Sequence, residues 1–475
     1  MQGKLPGSIA LNIPFDNSYA KLPEQLFAHS NPMSVPAPAL LAWNASLAEE
    51  LGLMLQDASA DELAQIFSGN RIPDGAEPIA LAYAGHQFGH FSPQLGDGRA
   101  VLLGEVIDKQ GIRKDVQLKG SGRTPFSRGG DGKSSLGPVI REYLLSEAMH
   151  TLGVPTTRAL AAVLTGERVY RESALPGGVL TRVASSHIRV GSFEYFAARR
   201  DIASLKALAD YAIARHVPEA SKEDRPYLSF FAHVLDVQTT LVAHWMALGF
   251  IHGVMNTDNT AISGETLDYG PCAFMDEFNA TKVFSSIDRG GRYAFNQQPA
   301  IVHWNLVRLA ECLLLLDEEQ AEYEQQLGRV QPEFESQYYT RMRAKLGLLS
   351  EGNEADDSKL VGEWLDHLQS NELDYTLSFR ELANQADGNR EPRFGAFEKQ
   401  WKRRLSQQPT SADETVTAMN AVNPLFIPRN HQVERAIQAA IVGDMSIFED
   451  LRKVLVNPFA EQPELSEYSA APLKQ

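Results

Sequence analysis

Apolar positions along the chain recur with two different periods. Asp115-Val116-Gln117-Leu118-Lys119 alternates polar and apolar residues, which predicts a strand ending in a lone Lys before Gly120. The apolar run Ala100 to Leu103 predicts another, with Gly104 opening a second, and Thr156 to Val183 reads as β-rich. Helical spacing appears at Leu136 to Leu152, where Ser134, Ser135 and Pro138 mark the start and Ile140, Leu144 and Ala148 share a face. A long helix is predicted over Leu228 to Leu248, with Phe231, Leu235, Thr239, Val242 and Met246 along one side. Pro38 to Leu53 also reads as helical through Leu40, Leu41, Trp43, Leu47 and Leu51.

Beyond Asp276 the pattern turns helical at His303 to Leu315, Asp317 to Gln331 and Phe334 to Leu349. A final helix pair follows the Pro-punctuated loop Asn423 to His431. Residues 350–358 and 404–414 read as polar linkers, and the last dozen residues as a frayed end. No internal repeat is present. Strands early and helices late place the chain in the α+β class.

The long helix delivers the chain to His252-Gly-Val-Met-Asn-Thr-Asp258-Asn259, and Asp268-Tyr-Gly270 follows. In protein kinases a His-x-Asp-x-x-x-x-Asn loop supplies a base and a metal-binding Asn, and an Asp-x-Gly holds Mg²⁺ against phosphates. Here the base position, five residues before Asn259, is Val254, which cannot accept a proton. Asp258 is the candidate relocated base; Asn259 and Asp268 are the candidate metal ligands. The competing reading is a surface turn, since Asn, Asp and Gly are ordinary turn residues.

The same frame gives meaning to Lys119, which in a kinase points at nucleotide phosphates and pairs with a Glu of the next helix. Glu142 is the chosen partner, with Glu147 left open. Gly96-Asp97-Gly98-Arg99 can bring backbone N–H groups and a fixed charge to a phosphate, or be a simple tight turn. Asp131-Gly132 lies in the basic, Gly-rich segment 121–137, which also holds Arg123 and Lys133 and is either a phosphate wrap or a linker. Arg182 and Arg189 are candidates to converge on a phosphate, Arg182 more so because its neighbours are apolar. His86 and His90 are four apart, a metal-pair spacing in a helix, but flanking Gly85 and Gly89 favour structural histidines.

Composition narrows the classes. The chain is 43% hydrophobic and 22% charged, ordinary globular composition, and its 475 residues suffice for two or three domains' worth of core or for one large bilobal body with additions. Net charge −16 disfavours nucleic acid and anionic membrane as partners, since both demand excess positive charge. Two cysteines, Cys272 and Cys312, argue against a disulfide scaffold and for a reducing, cytoplasmic setting. The N-terminus has neither a secretory nor a transit pattern, and Ile301 to Leu316 is too short and too polar to span a bilayer.

From about Phe15 to Phe459 the chain resembles the selenoprotein O family, pseudokinases that act as protein adenylyltransferases. The resemblance rests on YAGHQFGHFSPQLGDGRA, VQLKGSGRTPFSRGGDGKSSLG, REYLLSEAM, SSHIRVGSFE, GFIHGVMNTDN, LDYGPCAFMD and NPLFIPRNH. It implies a bilobal protein-kinase-like fold with an N-terminal extension (1–75), an N-lobe (76–190), a C-lobe (191–345) and a helical C-terminal region (346–475). It implies ATP held in a reversed orientation, its γ-phosphate buried and its α-phosphate facing a Ser, Thr or Tyr hydroxyl of a protein. Carried onto this chain, Lys119 and Glu142 form the ion pair, and Gly96, Gly98, Arg99, Asp131, Gly132, Arg182 and Arg189 contact phosphates. Asn259 and Asp268 hold Mg²⁺ or Mn²⁺, and Asp258 accepts the proton. Uridylyl transfer from UTP with Mn²⁺, phosphotransfer, and non-catalytic ATP binding stand as alternatives. Many members carry a C-terminal Cys or selenocysteine; this chain ends SEYSAAPLKQ, so redox control through such a Cys is not expected of it.

Overall fold

A computed structural model describes residues 13–350, 354–386 and 390–473. Its strands in chain order are β1 (Phe27–His29), β2 (Ala39–Trp43), β3 (Ile79–Leu81), β4 (Gly85–Gln87), β5 (His90–Ser92), β6 (Ala100–Ile107), β7 (Arg113–Lys119), β8 (Ser134–Ser135), β9 (Arg158–Tyr170) and β10 (Ala174–Ala184). One eight-stranded sheet runs β1-β3-β6-β7-β10-β9-β2, with β8 on β10, and its paired strands are antiparallel. The β4–β5 hairpin stands apart, as does a short pair, β11 (Phe250–Ile251) with β12 (Ala273–Phe274). Strands from the first 75 residues thus form both edges of the sheet.

Alternation assigns the two faces. Val116 and Leu118 of β7 join Leu103, Val163, Val179 and Val183 in a core closed by α1 (Ala45–Glu50) and α2 (Ala60–Phe67). The opposite face is covered by α3 (Leu136–Thr151), whose Leu136, Val139, Ile140 and Leu144 belong to the larger core.

Helices dominate after the sheet: α4 (Val190–Arg199), α5 (Ile202–His216), α6 (Pro226–Ala247), α7 (Gln298–Leu313), α8 (Gln320–Leu327) and α9 (Val330–Lys345). They continue as α10 (Glu354–Ser370), α11 (Tyr375–Ala383), α12 (Gly395–Leu405), α13 (Ala412–Val422), α14 (Asn430–Ile441) and α15 (Ser446–Leu455). The architecture is α+β, with a sheet in the N-terminal part and a largely helical remainder. Helix α6 is the central beam: Phe230, Phe231, Val234, Leu235, Leu241 and Val242 are buried, each contributing roughly 2 kcal/mol of apolar burial. Trp245 Nε1 donates to Thr266 Oγ1 at 2.9 Å and Gln238 Nε2 to Ala261 O at 2.5 Å, so α6 grips the loops that follow it.

Four expectations need correction. Pro38 to Leu53 is not one helix, because Leu40, Ala42 and Trp43 pair with β9 and the Asn44 side chain caps α1 by accepting from Leu47 N. Gly104 does not open a second strand; it sits at a bulge within β6, where a Cβ would lie 2.4 Å from Asn17 Oδ1. Residues 350–358 are not simply a linker: α10 starts at Glu354, and Asp357 is buried, pairing with Arg404 at 2.8 Å and Arg343 at 3.0 Å; residues 351–353 lie outside the described residues. The C-terminal dozen is docked rather than frayed as far as it is described: Tyr468 is buried with its hydroxyl 3.0 Å from Asp450 Oδ2, and Arg429 Nε donates to Ser469 O at 2.9 Å.

A candidate nucleotide cleft between the sheet and the His252 loop

In the β7–β10 register Gln117 faces Arg182 and Lys119 faces Leu180, so Gln117, Lys119 and Arg182 share one side of the sheet. Lys119 Nζ lies 2.6 Å from Glu142 Oε2 and also bonds Asp268 Oδ1. Arg182 NH1 reaches the same two carboxylates at 3.2 and 3.0 Å, while its Nε and NH2 donate to Gln117 Oε1. Arg189 NH1 lies 3.5 Å from Asp268 Oδ2, and its guanidinium stacks 4.5 Å from the Tyr83 ring centroid. Glu147 takes no part: it binds Arg158 at 2.9 Å and Asn44 Nδ2 at 2.8 Å.

Burial of Asp268 raises the carboxyl's pKa, but Lys119, Arg182 and Arg189 outweigh it and hold the group well below the usual range. Its backbone is left-handed (φ 67°), which few non-glycine residues adopt. Buried His252 ties this turn to the loop before it, since Nε2–H donates to Leu267 O at 3.0 Å and Nδ1 accepts from Val254 N at 3.3 Å. Those two bonds select the neutral Nε2–H tautomer, and burial lowers the ring's pKa in the same direction.

Asp258 sits on a single 3₁₀ turn, Thr257–Asn259, and is 8% exposed. Burial pushes its carboxyl up to about 6, against the pull of Arg189 and the Gln87 hydrogen bond. Its Oδ2 accepts from Gln87 Nε2 at 3.2 Å, while Oδ1 is buried without a hydrogen-bond partner among the described residues. A carboxylate with spare acceptor capacity and a pKa near neutrality is suited to taking a proton.

Twelve of the residues singled out from the sequence line one cleft of about 540 Å³, namely Gly96, Gly98, Arg99, Lys119, Asp131, Gly132, Glu142, Arg182, Arg189, Asp258, Asn259 and Asp268, whereas Arg123 and Glu147 do not. Seven Arg or Lys side chains line it against five carboxylates, on a chain whose net charge is −16. Two glycines are obligatory for close approach: a Cβ on Gly96 (φ 70°) would lie 2.3 Å from the Phe126 ring, and one on Gly132 (φ 68°) would lie 2.0 Å from Gly122 O. Segment 121–137 is thereby folded onto the Gly96–Gly98 turn, with Thr124 Oγ1 donating to Asp97 O and Ser127 Oγ to Gly98 O. Asp131 is already engaged by Arg171 at 2.8 and 3.0 Å, whose hydrogen bonds lower its carboxyl to about 2.

Sequence reasoning missed Gln87, Gln117, Tyr83 and Arg171, which line the cleft or brace it. Gln117 was readable in principle, two positions before Lys119 on the same strand face; the others carry no local signal. His86 and His90 fall on the two strands of the β4–β5 hairpin, not on a helix; His86 Nδ1 pairs with Glu194 at 2.5 Å and His90 is exposed.

The donor set suits a hard cation. Asn259 donates through Nδ2 to Val254 O at 3.0 Å, which orients the amide, and Asp268 adds a carboxylate, so both offer oxygen. Among the described residues no group of three or more His, Cys, Asp and Glu is arranged to hold a metal.

A cleft with surplus positive charge, glycine-lined approach and hard oxygen donors defines a polyanion-handling enzyme site. The family model described as protein adenylyltransferase SelO matches residues 9–456. Similar proteins include protein nucleotidyltransferase YdiU of Bradyrhizobium diazoefficiens, 54% identical with 98% of each chain covered, and that of Agrobacterium fabrum, 53% identical with 97% of each covered. The YdiU protein of Rhodopseudomonas palustris is 53% identical over 98% of this chain and 97% of its own. The chain belongs to the protein adenylyltransferase SelO family, and it is an enzyme of the nucleotidyltransferase class. No helix among the described residues is long and apolar enough to cross a membrane. Both cysteines are buried and free.

Proposed function

We propose that this enzyme transfers AMP from ATP to Ser, Thr or Tyr hydroxyls of proteins and releases pyrophosphate. The observation that carries the reading is the pairing of an apolar Val254 at the kinase base position with a buried, partly unpartnered Asp258 in the same cleft. In protein kinases γ-phosphoryl transfer uses a carboxylate where Val254 stands; on this reading attack at the α-phosphorus uses Asp258 instead.

On this reading the acceptor hydroxyl oxygen bonds the α-phosphorus, the bond from that phosphorus to the bridging oxygen breaks, and Asp258 takes the hydroxyl proton. Lys119, Arg182 and Arg189 hold the triphosphate and offset charge on the departing pyrophosphate. Gly96, Gly98, Arg99, Asp131 and Gly132 shape the phosphate path, and Glu142 keeps Lys119 aimed. Asn259 and Asp268 would hold Mg²⁺ or Mn²⁺, which when bound supplies charge neutralisation at the phosphates. Residues 76–190 and 191–345 act as the two lobes of a kinase-like body, with 1–75 as an N-terminal extension and 346–475 as a helical C-terminal region. ATP and hydroxyl-bearing proteins are the partners, in the cytoplasm.

The test is parallel incubation with α-labelled and γ-labelled ATP under Mg²⁺ or Mn²⁺, with α-labelled UTP alongside and Asp268→Ala as control. Protein label from α-labelled ATP alone, absent in the variant, is expected. Label from the γ position establishes phosphotransfer instead, and a dominant UTP signal with Mn²⁺ establishes uridylylation.

A further inference from the structure

The β4–β5 hairpin is laid against the Asn256-Thr257-Asp258 turn residue by residue. His86 N donates to Thr257 Oγ1 at 2.7 Å, Gln87 Nε2 to Asp258 Oδ2 at 3.2 Å, and Phe88 N to Asn256 Oδ1 at 3.2 Å. Behind them Thr257 Oγ1 donates to Glu194, and Tyr293 OH donates to Asn256 Oδ1 at 2.6 Å.

The hairpin is held in a costly shape to achieve this. Its two-residue turn has positive φ at both positions, Phe88 (52°) and Gly89 (82°), and a Phe at positive φ persists only where its surroundings over-determine it. The Phe88 N–H, shared between Asn256 and Tyr293, and the Phe88–Tyr293 ring contact at 5.1 Å supply that constraint. Gly85 lets the strand come down onto the carboxylate, since a Cβ there would lie 2.6 Å from Asp258 Oδ1. The hairpin therefore has one permitted height over the turn, and at that height Gln87 is the side chain that reaches Asp258.

We propose that Gln87 is a positioning residue for AMP transfer: its amide N–H fixes the rotation of the Asp258 carboxylate, and the constrained hairpin fixes Gln87. This rests on the reading of Asp258 as the proton acceptor. Besides a hydrogen bond from its own backbone, the Asp258 carboxylate, with one oxygen unpartnered, has no other side-chain hydrogen bond among the described residues to set its orientation. Acid–base transfer depends on that orientation being set before the acceptor arrives. Gln87 itself offers no titrating group and does not act on the hydroxyl.

The test compares full-length wild-type, Gln87→Met, Gln87→His and Asp258→Asn in α-labelled AMP transfer, with ATP affinity and melting temperature measured for each. Met fills the same space without a donor; His restores an N–H at similar reach. Gln87 is half-buried on a surface hairpin, so folding and ATP affinity should survive both changes. The expected result is a loss in kcat of roughly ten- to a hundredfold for Gln87→Met, with KM for ATP unchanged and most activity regained in Gln87→His. Wild-type kcat in Gln87→Met, an equal loss in both Gln87 variants, or an effect confined to KM overturns the proposal while a dead Asp258→Asn leaves the base assignment standing. Full activity in Asp258→Asn overturns the base assignment and this proposal together.

Discussion

Asp115 and Lys119 lie four residues apart on the same face of β7, and each centres an ionic cluster built from the same kinds of side chain. Around Asp115 the cluster is sealed: Arg215 NH2 lies at 2.6 Å, His187 Nδ1 at 2.9 Å, and Glu105 is shared between Arg113 at 3.1 Å and Arg215 at 3.6 Å. Asp115, Glu105 and His187 are each 2% exposed or less. Around Lys119 the cluster opens on the 540 Å³ cleft, and Asp268 remains a quarter exposed. Closed, a network of buried charges sets the geometry of β7 against α5; open, the same chemistry leaves cations and a carboxylate facing space for a ligand. Residue type does not separate a structural network from a functional one; the space on its far side does.

Breaking the open cluster should have the largest effect. Asp268→Ala is expected to lower AMP transfer by a factor on the order of a thousand, measured with α-labelled ATP, because the proposed metal ligand and the shared partner of three cations are lost together. Lys119 and Arg182 retain Glu142, so the variant should stay folded. Lys119→Met comes next, with a loss on the order of a hundredfold, checked by transfer rate and by ATP affinity.

The closed cluster should respond in stability instead. Asp115→Asn leaves Arg215 buried with a weakened partner and should cost about 3 kcal/mol in urea unfolding, with transfer by the folded fraction unchanged. An equal loss of kcat in Asp115→Asn and Asp268→Ala would erase the distinction between the clusters.

Acid sharpens the same contrast. Burial raises the Asp115 pKa, but Arg215 and His187 outweigh burial and hold the carboxyl well below its unfolded value. A depressed carboxyl binds fewer protons folded than unfolded, so its stabilisation is complete above about pH 4 and drains away as pH falls towards the folded value. Wild-type unfolding curves should therefore weaken below pH 4 more steeply than those of Asp115→Asn. The smallest effect belongs to the exposed Asp131–Arg171 pair, with side chains 39% and 43% exposed: Arg171→Ala should cost less than about 1 kcal/mol in thermal unfolding.

Much of the site was legible because its residues sit in local patterns. Lys119 closes an alternating strand, Glu142 lies one turn into a helix with clear start signals, and the His252 to Gly270 stretch carries its own spacing. Gln87 was not legible, since nothing near it says that a side chain 171 residues earlier in the chain will lie on the Asp258 turn. The fold was misread where local period and long-range pairing disagreed. Leu40 and Trp43 have helical spacing with Leu47 and Leu51, yet pairing with β9, 118 to 125 residues away, decides that Ala39–Trp43 is a strand. Polar residues 354–358 read as a break because only the folded chain brings Arg343 and Arg404 to Asp357.

By itself the sequence determined the class, the order of the elements and the chemical inventory: a strand Lys, a helix Glu, a loop with Val254, Asp258 and Asn259, and the candidate metal ligand Asp268. Those follow from short-range rules, the alternation of strands, the period of helices and the spacing of loop residues, all written in neighbouring positions. Only the tertiary structure decided that Lys119, Arg182 and Arg189 converge on one carboxylate, that Glu142 and not Glu147 is the partner, and that Gln87 meets Asp258. Each of those depends on where distant segments come to rest, and that is set by the packing of β7, β10, α3 and α6 as a whole rather than by any stretch of chain read alone.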